Sequence, residues 1–217
     1  MNERNGNEWL DARYQSVTGT DVGKIMGCDD TTSRQKLCYY KLHKIDPLIH
    51  ATDYTKRLVR YGGLFENAAL GEFRRYFINH DWLYNGYVPG MSPHKDYSWI
   101  TGTPDYIADL NDNDKCVVEI KTHWSPSPEL ASPIKIVDTI PLKYWLQVQT
   151  YLEILDINEG FQWSWILLNG YTCFHIARLN DFWNSHILPR ILDFRTIWDQ
   201  AIQHKSFEED ILTKLCD

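Results

Sequence analysis

The segment Val117-Val-Glu-Ile-Lys121 restricts the fold of this chain more than any other. Side chains along a strand alternate faces, so Glu119 and Lys121 point one way while Val118 and Ile120 point the other. The apolar pair can then face a core while a carboxylate and an ammonium share one surface. Upstream, Gly102-Thr-Pro-Asp105 places an aspartate just after another predicted strand. A hairpin turned through Asn111-Asp-Asn-Asp114 brings Asp105 beside Glu119. Two carboxylates and a lysine converging at a strand edge outline a site for divalent-metal hydrolysis.

The chemistry suits those residue types. Magnesium is a hard cation that takes one or two carboxylates and fills its other positions with water and phosphate oxygens. Bound metal polarises a scissile phosphate and lowers the pKa of a coordinated water. Lys121 can orient that water or stabilise charge developing on the phosphate. An exposed strand face with an ion pair accounts for Glu-x-Lys alone; Gly-Thr-Pro-Asp upstream turns the reading toward a metal site.

Other classes are set aside by composition. At 217 residues, 43% of them hydrophobic, the chain suits one sizeable domain. No apolar run approaches the roughly 18 residues that a bilayer span needs, and the N-terminus has no apolar signal region. The five cysteines (Cys28, Cys38, Cys116, Cys173, Cys216) form no C-x-x-C pair. Reduced thiols in a soluble protein of the cytoplasm or nucleus are expected, without membrane contact or zinc ribbon. The formal charge of −7 runs against a nucleic-acid partner. Acidic residues, however, gather at Asp109 to Asp114 and at Glu208, Glu209, Asp210 and Asp217, and basic ones at Arg34 to Lys44, Lys56 to Arg60 and Arg74-Arg75. The N-terminal half is therefore the expected nucleic-acid face.

Periodicity predicts short helices over 20–27 and 33–44, with Thr20 and Ser33 as N-caps. A longer helix is expected over 55–79, where Glu66, Leu70, Phe73 and Phe77 form a single stripe. Strands are expected near 83–88, 97–101, 105–110 and 115–122. A proline-rich loop, Ser125 to Pro141, precedes a helix from Leu142 to Asp156. Strands near 161–168 and 171–177 flank an Asn169-Gly170 turn, and helices follow over 181–214. The order indicates an α/β (α+β) domain, a central mixed sheet flanked by helices. One nuclease domain over 1–217 is expected, with a core at about 55–178 and helical parts at 1–54 and 181–217 packed on it.

Further residues support the site. Glu66 on an apolar stripe is costly to bury unless paired or metal-bound; the ordinary alternative is a stripe edge in water. Gln147 and Tyr151, four apart, share a helix face, where the amide can meet a phosphate or the metal's water shell. Arg13 precedes Thr18-Gly-Thr-Asp21 at a helix start, a combination suited to a terminal phosphate. Of nine tryptophans, Trp124 and Trp145 are placed to touch substrate. His123 reads as an incidental neighbour.

Together these residues resemble the PD-(D/E)xK nuclease superfamily, and within it the phage lambda exonuclease and YqaJ-like viral recombinase branch. The resemblance rests on Arg13 with Val17-Thr-Gly-Thr-Asp-Val22, Gly62-Gly-Leu-Phe-Glu66, Gly102-Thr-Pro-Asp105, Glu119-Ile-Lys121 and Trp145-Leu-Gln-Val-Gln-Thr-Tyr151. It implies a restriction-endonuclease-like core in which Asp105, Glu119 and Glu66 hold Mg²⁺, Mn²⁺ being a possible substitute. Lys121 would help activate water, and Gln147 with Tyr151 matches the trailing helix motif. Arg13 and Thr20 take the places of residues that hold the 5′-phosphate of duplex DNA. Branch members digest one strand of linear duplex from its 5′ end, leaving a 3′ strand for an annealing protein, and some form toroidal trimers. The segment Ser125 to Leu130 lacks the arginine that the lambda enzyme carries there, with Lys135 or Arg34 as candidate substitutes. The scattered cysteines match no iron–sulfur relative.

The reading is thus an Mg²⁺-dependent 5′→3′ exonuclease on linear double-stranded DNA, used in viral or phage recombination and replication. The alternatives are an endonuclease of the same fold on DNA or RNA, a non-catalytic nucleic-acid-binding module, and an interaction protein with an aromatic surface.

Overall fold

Short hydroxyl side chains mark where two of the helices begin. Ser33 accepts a hydrogen bond from the Lys36 N–H, and Thr52 from the Thr55 N–H, each meeting a donor that the first helical turn leaves unpaired. The structure, a computed structural model, describes residues 6–29, 32–79, 83–110, 114–123, 139–166 and 170–204. In chain order it runs α1 (Asn7–Tyr14), β1 (Val17–Thr18), α2 (Gly19–Ile25), α3 (Arg34–Leu42), a 3₁₀ turn at Pro47–His50 and α4 (Asp53–Ile78). Then come β2 (Leu83–Tyr87), β3 (Ser92–Pro93), β4 (Ile100–Gly102), β5 (Tyr106–Leu110) and β6 (Lys115–His123). After α5 (Leu142–Leu155) follow β7 (Glu159–Ile166), β8 (Gly170–Ala177), α6 (Asn180–Phe182), a π-helical turn at Trp183–Ile187 and α7 (Leu188–His204).

Two mixed sheets form rather than one. Five strands pair in the order β2-β5-β6-β7-β8, antiparallel except for the parallel pair β6–β7. The parallel step follows from α5, which provides the helical crossover such a pair requires. A second sheet, β1-β4-β3, joins the N-terminal motif to the strand before Asp105: Val17 pairs with Ile100 and Thr18 with Thr101, in parallel. Two-residue strands such as β1 and β3 are too short to carry a periodic signal, so the sequence pattern does not show this sheet.

Both faces of β6 are covered. Cys116, Val118 and Ile120 pack with Ala69, Phe73 and Phe77 of α4, while Val117 packs with Val148, Tyr151 and Leu152 of α5. The α4 stripe is therefore a packing stripe at Phe73 and Phe77. Gly62-Gly63 leaves the helix unbroken, and the Gly62 carbonyl accepts from the Thr122 hydroxyl at 3.3 Å. A third apolar cluster joins α2, α3 and α5 to α7 through Val22, Leu37, Leu146, Ile191 and Trp198. The C-terminal helix thus clamps the N-terminal helices rather than the main sheet.

Several boundaries shift. The first short helix starts one residue earlier than expected, and its N-cap is Thr18, not Thr20. Gly170 lies within β8, paired with Ile166, and residues 167–169 lie between the two strands. That connection, the Asn111 to Asn113 turn, most of the proline-rich loop and the expected helix beyond residue 204 lie outside the described residues.

Candidate active site

Asp105 reaches the centre because the β5–β6 ladder ends beside it. The last pair is Tyr106 with Val118, and Pro104, lacking an N–H, cannot extend a ladder. The Asp105 carboxylate takes the vacated place, accepting the Ile120 N–H on Oδ2 at 2.8 Å. A backbone bond thereby holds one acidic side chain against the strand that carries the other.

Glu119 sits on that strand, 3% exposed. Its Oε1 accepts from Lys121 Nζ at 2.6 Å and from Gln147 Nε2 at 2.7 Å. Its Oε2 is buried with no hydrogen-bond partner. Burial pushes the Glu119 pKa up to about 8; Asp105 and then Glu66 add to the rise, and the Lys121 ammonium only partly opposes it. Lys121, held up by Glu119 and Asp105 against its own burial, keeps its proton. Its ammonium also lies 4.9 Å from the centre of the Tyr144 ring. Glu66 is half-buried on α4 and adds the smallest of these effects on Glu119.

Gln147 and Tyr151 bind one another as their spacing predicts. Gln147 Nε2 donates to the Tyr151 hydroxyl at 2.8 Å as well as to Glu119. The Tyr151 ring explains two glycines of the motifs. A Cβ on Gly19 would lie 2.4 Å from Tyr151 Cε1, and one on Gly102 would lie 2.8 Å from Cδ1. The ring fills the gap between α2 and β4 only because neither carries a side chain there. Glu119 raises the Tyr151 pKa and Arg13 lowers it, after burial as the main cause, so both motifs face this one phenol.

At the N-terminal motif Arg13 donates to the Thr20 hydroxyl at 3.2 Å and lies 4.6 Å over the Trp9 ring. Thr20 is available to it because Thr18 is the capping residue. Beneath lies a buried ion pair, Asp21–Lys41 at 2.8 Å.

Other named residues have partners of their own. Trp145 packs edge-on against Phe182 in the apolar cluster, which accounts for its burial without substrate. Arg34 is engaged by Asp193 at 2.8 Å, across the α3–α7 interface. His123 Nε2 lies 3.4 Å from the Ser164 hydroxyl. Trp124, Lys135 and Ser125 to Leu130 lie outside the described residues. Tyr144, Lys41 and Trp9 went unnoticed in the sequence. Only Trp9, four residues before Arg13 on one helix face, had a spacing that might be read as contact.

The YqaJ-like viral recombinase domain model matches residues 8–158, more than half of the chain. The chain belongs to that family. It is accordingly a PD-(D/E)xK nuclease-superfamily protein of the lambda exonuclease and YqaJ-like branch, and the fold of this YqaJ-like domain is shared with solved exonucleases. The alkaline exonuclease LHK-Exo from Laribacter hongkongensis is 21% identical, with a TM-score of 0.66 over 92% of this chain and 95% of that one. A complex of LHK-Exo with dAMP gives 0.68 over the same shares. A phage-related exonuclease from Haemophilus somnus, 13% identical, gives 0.62 over 91% of this chain and 99% of that one. No curated protein is significantly similar to the YqaJ-like domain in sequence.

The family implies a divalent cation, and the donors of this YqaJ-like domain fit one. Glu119 Oε2 is a buried oxygen without a partner, and burial, followed by the Asp105 carboxylate, raises the Glu119 pKa. Among the described residues no three His, Cys, Asp or Glu side chains form a cage by themselves. Among the described residues no helix is long and apolar enough to cross a membrane.

Proposed function

We propose that this YqaJ-like protein is an Mg²⁺-dependent exonuclease that degrades linear double-stranded DNA from 5′-phosphorylated ends, Mn²⁺ serving as a substitute. The observation that carries the reading is Glu119. It is a buried carboxylate with one oxygen held twice and the other unpartnered, beside Asp105. The solved complex of LHK-Exo with dAMP, a deoxynucleotide, supports DNA as the substrate.

In this proposal Asp105, Glu119 and Glu66 hold the cation. When bound, it polarises the scissile phosphate and lowers the pKa of a coordinated water. Gln147 and Lys121 keep Glu119 Oε1 engaged, which leaves Oε2 for the cation. Lys121 stays charged and orients the attacking water. Arg13 and Thr20 bind the terminal 5′-phosphate. Attack on phosphorus breaks the bond to the 3′-oxygen, releasing a nucleotide that keeps its 5′-phosphate. The next nucleotide carries the new 5′-phosphate, which the Arg13–Thr20 pair can bind in turn. The remaining 3′ strand suits a single-strand annealing protein, and a trimeric ring is the assembly that the lambda-like branch suggests.

Digestion of end-labelled linear duplex with Mg²⁺, beside a closed circle, single-stranded DNA and RNA, tests the proposal. Loss of linear duplex from its 5′ end, abolished by Lys121→Ala, is expected. Cutting of the circle or of RNA would replace the exonuclease with an endonuclease, and no cleavage of any substrate would leave a binding module.

A further inference from the structure

Asp21 and Lys41 form a buried acid–lysine pair that the proposed hydrolysis does not use. Their side chains are 7% and 6% exposed, with Lys41 Nζ 2.8 Å from Asp21 Oδ2. Lys41 also donates to the carbonyl oxygens of Ser16, at 2.6 Å, and Arg13, at 2.9 Å. Three acceptors match the three protons of an ammonium. The two carbonyls bracket the turn from α1 into β1, so Lys41 grips both ends of the short segment from which Arg13 projects.

The carboxylate carries the arrangement further. Asp21 Oδ2 accepts from the Thr18 N–H at 2.9 Å and from the Thr18 hydroxyl at 2.7 Å. A threonine has one hydroxyl proton. With that proton on Asp21, the 2.9 Å contact between Thr18 and Thr20 has Thr20 as the donor. Thr20 oxygen in turn accepts from Arg13. One direction of hydrogen bonding therefore runs from Arg13 through Thr20 and Thr18 to Asp21, and it needs Asp21 ionised. Burial works against that charge. Lys41 first, then Lys24, more than reverse the effect and hold the Asp21 carboxyl well below the usual range.

Stability alone gives little reason for such a pair, because well-packed apolar residues of similar volume often serve as well or better. We propose that Lys41 is a positioning residue for terminal-phosphate recognition. It fixes the Arg13 backbone through two carbonyls and the Thr20 hydroxyl through Asp21 and Thr18, without touching DNA. The inference rests on the reading of Arg13 and Thr20 as the end pocket.

The test compares kcat/KM on duplexes with 5′-phosphate and 5′-hydroxyl ends for wild type, Arg13→Ala, Lys41→Met and Thr18→Val. Lys41→Met should lower the preference for phosphorylated ends about tenfold or more, the scale of hydrogen bonds to charged groups, chiefly through KM. Thr18→Val keeps the shape and the ion pair while breaking the relay. It should move the preference in the same direction, and it carries the test if Lys41→Met does not fold. A merely structural pair predicts a lower Tm with the preference intact. An unchanged preference in Thr18→Val, or in folded Lys41→Met, overturns the inference. If wild type shows no preference, or Arg13→Ala leaves it unchanged, the end-pocket reading has failed first and the inference falls with it.

Discussion

Asp21–Lys41 and Glu119–Lys121 are both acid–lysine pairs, and they are built differently. At Asp21–Lys41 the lysine has three acceptors, the carboxylate is stabilised as an anion, and its pKa is depressed. At Glu119–Lys121 both donors converge on Oε1, Oε2 is left without a partner, and the pKa is raised. Similar residue types thus give one finished ion pair and, where the lysine is 22% exposed rather than 6%, one unfinished one. A buried carboxylate whose charge is still disfavoured beside its own lysine suits an added cation; a fully satisfied one holds its surroundings in place.

The contrast predicts unequal results from matched substitutions. Lys41→Met should be the most damaging to stability, costing about 3–5 kcal/mol, because it strands a buried carboxylate. Replacing both partners, as in Lys41→Met with Asp21→Leu, should recover most of that loss. Denaturant unfolding measures both. A Lys41→Met variant as stable as wild type would mean that the pair is not a finished one.

Lys121→Ala should cost less stability, since a carboxylate whose pKa is already raised can take up a proton when its lysine leaves. Its effect belongs in activity: a fall of about 10²–10³-fold in kcat, the scale for removing one preorganised charge from a reacting phosphate. Digestion of linear duplex beside an unfolding curve separates the two. A stability loss as large as that of Lys41→Met would erase the distinction between the pairs.

The same distinction governs what could be read from the sequence. Strand alternation placed Glu119 and Lys121 on one face, and the Asn111 to Asp114 turn signal paired that strand with the one after Asp105, so the hairpin at the centre was legible. The burial of that face was not. It depends on α4 and α5 closing over both sides of β6, and alternation describes one strand without its neighbours. Lys41 was hidden for a related reason. It stands in the run from Arg34 to Lys44, which reads as a basic surface, and two of its acceptors are backbone carbonyls that leave no mark in sequence. Gly19 and Gly102 appeared as motif letters; the Tyr151 ring supplies their physical cause. Thr18 and Thr20 are chemically equivalent as caps, and only the helix start tells which of them remains for Arg13.

Divalent metal should act on one pair alone. If Glu119 Oε2 takes a cation, Mg²⁺ at about 100 times its Kd should stabilise the fold by about 2.7 kcal/mol. Glu119→Gln should remove that gain while Asp21→Asn should not. Thermal melts with Mg²⁺, with Mn²⁺ and with chelator provide the readout. Equal gains in wild type and Glu119→Gln would place the cation elsewhere.

The pH dependence has opposite sign at the two carboxylates. Glu119 has a folded pKa raised from 4.5 to about 8, so without metal the folded state binds the extra proton between those values. Its contribution to stability is fully present below 4.5 and is lost as pH rises toward 8. Asp21 has a folded pKa below its ordinary 3.8, so its contribution is present above 3.8 and is lost as pH falls. Lys121, with its pKa raised from 10.5, loses its contribution only at higher pH and leaves the window between them clear. One proton changes stability by at most about 1.4 kcal/mol per pH unit. In metal-free protein, Glu119→Gln should therefore flatten the decline between pH 4.5 and 8, and Asp21→Asn should alter only the acid limb. Saturating Mg²⁺ should flatten the wild-type decline as the substitution does, because a cation on Oε2 displaces the proton. Parallel wild-type and Glu119→Gln curves across that range would show that Lys121 already completes the Glu119 pair, and the comparison would collapse into two finished ones.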